Sequence, residues 1–206
     1  MKSKLIIAIA AIGIAVLFSS CAKVPQAEID AATAAIAGVK DAGADLYVPA
    51  AYQALVDSMK SANEKVEVAK AKWFPNYTKA KELLVVVNQM AVDTKAKSEA
   101  RKVELKAETE AMIVEVKALV EENKALIAKA PKGKEGREAL EAIKSDVTVA
   151  ETTVTEVEGL LANGDLLGSN SKIKAAKEKA TSIKAELDAA IAKKAAAAPA
   201  KKSVKK

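Results

Sequence analysis

Side chains able to perform covalent chemistry are scarce in this chain, and the most informative of them lies near the N-terminus. The 206 residues include one cysteine, Cys21, and no histidine. An intramolecular disulfide, a zinc site of His and Cys ligands and a His-dependent nucleophilic triad are therefore excluded. What remains is a single thiol, and the residues around it indicate what that thiol does.

The segment before Cys21 is typical of an export signal. Lys2 and Lys4 precede an apolar run of 14 residues, 5–18. This run is too short to cross a bilayer as a helix, which takes ~20 residues, but it fits the apolar region of a signal peptide. An exported chain has no evident use for a lone thiol that is left unmodified.

The whole N-terminal pattern, ending in FSSCA at 18–22, resembles the bacterial lipoprotein signal with its lipobox. The resemblance implies cleavage between Ser20 and Cys21, a diacylglyceryl thioether on Cys21, and acylation of the new amine by a chain such as palmitate. Phe18 stands where the lipobox usually has Leu. Ordinary cleavage after Ala22, which would leave no lipid, is the alternative interpretation.

The same resemblance has an implication for location. Ala22 stands where an Asp commonly retains such lipoproteins at the inner membrane. The resemblance therefore implies a membrane-anchored protein of the outer membrane that faces the periplasm.

Net charge is distributed unevenly along the chain. The total is +6, but six lysines fall in residues 193–206, which contain no acid. Without these and the two lysines of the signal, 25 basic and 27 acidic residues remain, a net charge of −2. A nucleic-acid partner would require a basic body and is not expected.

The basic segment itself is a low-complexity tail, residues 195–206. It either solubilises the protein or is attracted to an anionic polymer or surface, namely peptidoglycan, lipopolysaccharide or anionic lipid. The lysines that would make this contact are Lys201, Lys202, Lys205 and Lys206.

The body that positions these segments is predicted to be helical. Between Pro75 and Pro131 lie 55 residues without Gly or Pro, which predicts one helix roughly 80 Å long. On either side, apolar residues recur in steps of three and four, the spacing of helices that pack side by side. The predicted seams are 52, 55, 59, 62, 66, 69 and 73; 77, 80, 84, 87 and 91; 140, 143, 147, 150, 154, 157 and 161; and 173, 176, 180, 183, 187 and 190.

The middle of the long helix breaks this pattern. From Asp93 to Lys102 the seam is occupied by charged and polar residues, and a stripe of small residues continues instead. The stripe is interpreted either as a weakly packed contact or as a solvated helix face. Its members are Val92, Ala96, Ala100, Val103, Ala107, Ala111, Val114 and Ala118.

Together these patterns predict an all-α fold, an elongated antiparallel bundle built around one long central helix. The other helices are expected at 25–43, 49–73, 136–162 and 168–194. The predicted domains are a signal peptide at 1–20, a lipidated N-terminus at 21–24, a proximal bundle at 25–102, a distal bundle at 103–194 and the tail at 195–206.

In this geometry Cys21 lies close to the turn at 74–76. The aromatic residues Trp73, Phe74 and Tyr77 then either close the helical hairpin or anchor the protein at the membrane interface, where Trp and Tyr are favoured.

A second resemblance covers much of the body. The segments GADLYVP at 43–49, YTKAKEL at 77–83 and GD at 164–165 are similar to a family of uncharacterised Ala-rich helical bacterial lipoproteins. This resemblance implies a helical envelope protein. The family has no established chemistry that could be assigned to residues of this chain.

The sequence favours a non-catalytic protein that needs no metal or cofactor beyond the lipid. Neighbouring carboxylates such as Glu121 and Glu122 point apart on a helix, and GKEG at 133–136 lacks the spacing of a phosphate loop. We expect an envelope scaffold or spacer. The alternative is a binding subunit whose long helix docks on an envelope complex or on another copy of the chain.

Overall fold

The computed structural model describes residues 23–131 and 134–197, and these residues are almost entirely helical. The described part contains no strand, so the all-α prediction is confirmed. In chain order the helices are α1 (Gln26–Asp41), α2 (Ala44–Tyr47), α3 (Pro49–Lys70), α4 (Thr78–Lys129), α5 (Lys134–Ala162) and α6 (Leu166–Ala197).

The long helices follow the predicted segments, but several ends differ: α5 begins at Lys134 and not at 136, and α6 spans Leu166–Ala197 and not 168–194. Gly43 has φ 73°, a left-handed conformation that separates α1 from the four-residue helix α2. Helix α3 begins with Pro49 at its first turn, as Pro favours. It ends at Lys70 and not at 73, so Trp73 lies beyond the helix.

The chain divides into two compact units between Arg101 and Lys102. Helices α1, α2 and α3 pack with the first part of α4 in one unit. Helices α5 and α6 pack with the rest of α4 in the other.

The core of the first unit lies on the predicted seams of α3 and α4. Tyr77, directly before α4, is buried, as are Leu84 and Val87 of α4. Leu55 and Val66 of α3 are buried as well. The residues of α1 that join this core include Ala32 and Val39. The predicted seams are therefore confirmed here, except for Trp73, which is exposed.

The second unit is assembled in the same way from three long helices. Its core cluster joins Val116 and Val120 of α4 to α5 and α6. Every predicted seam residue of α5 and α6 is buried or half-buried. The buried ones are Leu140, Val147, Ala150, Val154, Val157, Ile173, Ala176, Ala180, Ile183 and Leu187.

Ion pairs between helices follow the seams of the second unit. The Lys117 ammonium lies 2.6 Å from the Glu158 carboxylate. Lys124 pairs with Glu151, and each of these two residues is seven positions from its counterpart in the first pair. Hydrogen bonds to Glu151 and then to Glu121 raise the pKa of Lys124 above its ordinary value. Exposed pairs of this kind add little stability, but their spacing matches the heptad repeat of the seam.

Of the two interpretations of the small-residue stripe of α4, the structure supports the solvated helix face and not the packed contact. All eight of its members are exposed. The buried face passes instead through Thr94 and Ser98 in the first unit and Leu105 and Thr109 in the second. The seam therefore continues its steps of three and four through small polar residues, which an apolar pattern does not detect.

Three hydrogen bonds of buried polar side chains join different helices. In the first unit, the Ser98 hydroxyl donates to the Ala42 carbonyl at the end of α1, at 3.1 Å. In the second, Asn170 donates to Thr109 at 3.0 Å. Asn123 donates to the Ala180 carbonyl at 2.9 Å, while its own carbonyl oxygen has no hydrogen-bond partner.

The α5–α6 turn contains a helix C-cap followed by an N-cap. Gly164 is left-handed, with φ 82°, and the amides of Gly164 and Asp165 donate to the carbonyls of Leu161 and Leu160. This is a Schellman cap. Asp165 then accepts a hydrogen bond from the Gly168 amide at 2.8 Å, which caps α6.

Two glycines of α5 and its turn allow a matched test of this cap. Gly164→Ala should lower the free energy of unfolding by ~1–2 kcal/mol, because a Cβ disfavours the left-handed backbone. Gly159→Ala is the control, since Gly159 is helical and a Cβ there meets nothing within 4 Å. It should raise that free energy by ~0.5–1 kcal/mol. Urea denaturation followed by circular dichroism measures both, and an equal change in the two variants would contradict the cap.

Asn123 provides a second test, on the second unit. Asn123→Leu should raise the free energy of unfolding by roughly 1 kcal/mol, because it removes a buried carbonyl that has no partner. Asn170→Leu is the comparison. It removes an amide that hydrogen-bonds Thr109 and should lower stability by about 1 kcal/mol. Destabilisation by Asn123→Leu would show that its hydrogen bond to Ala180 outweighs the unpaired oxygen.

Candidate membrane-proximal surface

The predicted anchor and tail residues lie outside the described part of the chain. Cleavage and lipidation were predicted at Ser20 and Cys21, and the described residues begin at Lys23. The predicted polymer contacts Lys201, Lys202, Lys205 and Lys206 follow the last described residue, Ala197. These assignments therefore stay predictions.

The three predicted interfacial aromatics are described, and the structure separates them. Trp73 is 91% exposed and Phe74 is 84% exposed. Tyr77 is only 6% exposed and packs with Val66 and Ala69 of α3. Tyr77 therefore closes the α3–α4 hairpin, and Trp73 and Phe74 do not.

Local sequence explains why the aromatic pair is displayed. Helix α3 ends at Lys70, and α4 begins at Thr78, whose amide donates to the Asn76 side chain at 2.9 Å. Pro75 lies between the aromatic pair and this cap. Because Tyr77 already fills the place beside the end of α3, the pair lies in the connection and points to solvent.

The start of α1 lies at the same end of the first unit. Val24 and Ile29 pack against the cluster that contains Tyr77. Glu28 of α1 pairs with Lys81 of α4 at 3.0 Å. Since Ser98 bonds the end of α1, α1 runs parallel to this part of α4, with its N-terminus near the aromatic turn.

The Glu28–Lys81 pair is maintained over the neutral pH range. Partial burial by itself would raise the pKa of the Glu28 carboxyl. The hydrogen bond and charge of Lys81, together with a backbone hydrogen bond, outweigh burial and hold that pKa below its ordinary value. The stabilisation is thus present above the ordinary value and is lost as the pH falls through the lowered one.

Exposed lysines flank the aromatic turn, and the sequence interpretation missed them. Lys23, Lys72 and Lys79 are all exposed. The sequence did contain an indication of this arrangement, since Lys72 directly precedes the adjacent aromatic residues Trp73 and Phe74. The surface formed by Lys23, Lys72, Trp73, Phe74 and Lys79 is called the aromatic turn surface below.

The second unit offers two shallow grooves between α4 and α5, of about 370 and 430 Å³. Lys106, Glu110 and Ile113 line part of the first. Lys117 and Glu151 line part of the second, and Glu158 borders both. Their charged side chains include the Lys117–Glu158 ion pair, so these grooves are the outer margins of a helix seam.

Two further findings concern only the residues that the structure describes. None of these helices is long and apolar enough to cross a membrane. No cluster of three or more acidic or cysteine side chains among them is arranged to hold a metal ion.

Comparison with protein-family models, curated proteins and solved structures gives no match for this chain. The resemblances to the lipoprotein signal and to Ala-rich envelope lipoproteins therefore remain predictions from the sequence.

Proposed function

We propose that the protein is a lipid-anchored, helical lipoprotein of the bacterial cell envelope that acts as a non-catalytic spacer or scaffold. The observation that carries this proposal is the placement of the only cysteine, Cys21, which two serines separate from a 14-residue apolar run behind two lysines. The proposed location is the outer membrane, facing the periplasm.

The described fold is compatible with an anchored scaffold. Helix α1 begins at Gln26, so only a short segment separates the proposed lipid from packed structure. A short segment limits how far the first unit can move from the membrane. Interhelical ion pairs cover the seams of the second unit, as suits a protein that is surrounded by water.

A second candidate is a binding subunit that docks through α4 on an envelope protein or on another copy of the chain. The observation in its favour is the exposure of Val92 in the first unit and of Val103 and Val114 in the second. Exposed valines scattered singly are common, so this candidate ranks below the scaffold. Recovery of one stoichiometric protein partner from intact envelopes would reverse that order.

The anchor is tested by Cys21→Ser. Each buried methylene contributes ~0.8 kcal/mol, and two acyl chains already hold a protein stably. The variant should therefore lose membrane attachment or retain an uncut signal. Mass spectrometry of the mature N-terminus and membrane fractionation measure these outcomes.

Ser19→Ala is the matched control, because it changes the same segment and keeps the thiol. It should remain acylated and membrane-bound. If high salt removes wild type and Cys21→Ser from membranes equally, the protein is not a lipoprotein.

The proposed contact between the tail and the cell wall is tested on purified sacculi. Deletion of 198–206 leaves every described helix intact, since α6 ends at Ala197. If each lysine contributes ~1 kcal/mol, as at an anionic lipid surface, the deletion should weaken sacculus binding more than tenfold. Binding of the wild-type protein should be sensitive to salt.

Replacing Lys201, Lys202, Lys205 and Lys206 with Gln keeps the length of the tail and removes its charge. Equal loss in this variant and in the deletion would assign binding to charge. Unchanged binding in both would leave the tail as a solubilising segment.

A further inference from the structure

Trp73 and Phe74 are the most exposed large apolar side chains in the described part of the chain. They are two of its six aromatic residues and lie next to each other in one connection. An exposed pair of this size is unusual, since aromatic residues carry most of the burial energy of small cores. The pair therefore requires an explanation beyond folding.

Folding of the first unit does not explain this pair. Tyr77 supplies the aromatic packing at the end of α3, and Asn76 supplies the cap of α4. A connection of this length could be made from small polar residues, which are the usual turn formers. Neither Trp73 nor Phe74 is needed for the hairpin.

Three observations point to a lipid surface. The chain enters the first unit at Val24, which packs in the same cluster as Tyr77. Cys21 is three residues from Val24, a span of at most about 11 Å. Lys72 directly precedes the pair, Lys79 follows it in the first turn of α4 and Lys23 precedes Val24; all three are exposed, as is the acidic Glu82. Glu28 and Glu67 are paired with lysines.

We propose that the aromatic turn surface contacts the bilayer, with Trp73 and Phe74 at the headgroup level and the lysines against anionic phospholipid. This inference rests on the proposed lipid anchor at Cys21. Trp favours the membrane–water interface, and basic residues are attracted to anionic headgroups. The first unit then sits with its α3–α4 turn against the membrane and the α1–α2 turn away from it.

The area of the surface argues against a protein as the occupant. Two aromatic side chains bury about 150–250 Å² each, whereas a stable protein interface takes about 800 Å² from each partner. The neighbours that would have to supply the remainder are Lys72, Asn76, Thr78 and Lys79, which are exposed and polar. Lysine in particular is depleted from the cores of protein interfaces.

The test uses the fact that Trp73 is the only tryptophan in the chain. The full-length acylated protein is reconstituted from detergent into vesicles of phosphatidylethanolamine and phosphatidylglycerol. The phospholipids carry bromine either near the headgroup end or near the methyl end of the acyl chain. Trp73 emission should shift to shorter wavelength and be quenched more strongly by the shallow bromine than by the deep one.

The double variant Trp73→Phe/Leu46→Trp is the matched control. Leu46 is an exposed apolar residue of α2, at the other end of the first unit. The anchor and the number of tryptophans are unchanged, and the emission should stay solvent-like and unquenched. Circular dichroism verifies that the variant folds.

Each result decides a separate claim. Emission from Trp73 that matches the control, on protein whose mass includes the acyl groups, overturns the inference and leaves the lipoprotein proposal intact. A mass without acyl groups removes the anchor, and shallow quenching of such protein on anionic vesicles would still support the lipid contact. An unquenched Trp73 that instead crosslinks to one protein in intact envelopes assigns the surface to a protein partner.

Discussion

The packing of each unit depends on the buried face of its own part of helix α4. In the first unit this face passes from Leu84 and Val87 to Thr94 and Ser98. In the second it passes from Leu105 and Thr109 through Val116 to Asn123. The other helices of each unit pack on this face, so its spacing of three and four residues determines how they lie.

The polar members of this face restrict the register in which the helices pack. A helix that slides along α4 exchanges one Ala for another at little cost, and the chain contains 45 Ala. Sliding would also separate Ser98 from the Ala42 carbonyl, or Asn123 from the Ala180 carbonyl. A buried polar group left without a partner costs about 1–3 kcal/mol, so these contacts disfavour other registers, as buried Asn does in coiled coils.

The same packing explains why the aromatic turn is available for contact. Because α1 runs parallel to the first part of α4, its N-terminus and the α3–α4 turn lie at one end of the unit. Tyr77 completes the core there, and the Trp73–Phe74 pair remains outside it. The proposed anchor and the aromatic pair would therefore approach one surface together, which a lipid attached elsewhere on the unit would not achieve.

The sequence alone determined that the chain is helical and the approximate extent of its long helices, because Pro, Gly and the spacing of apolar residues act locally along the backbone. The left-handed Gly164 and the Asp165 cap are examples. Only the tertiary structure decided which face of α4 is buried between 92 and 118. Small polar residues and small apolar residues are equally compatible with either face, and the choice depends on hydrogen-bond partners that lie far away in sequence. The tertiary structure also decided between the two aromatic residues that continue the predicted seams. Tyr77 packs beside the end of α3 and is buried, whereas Trp73 lies beyond that helix and is exposed.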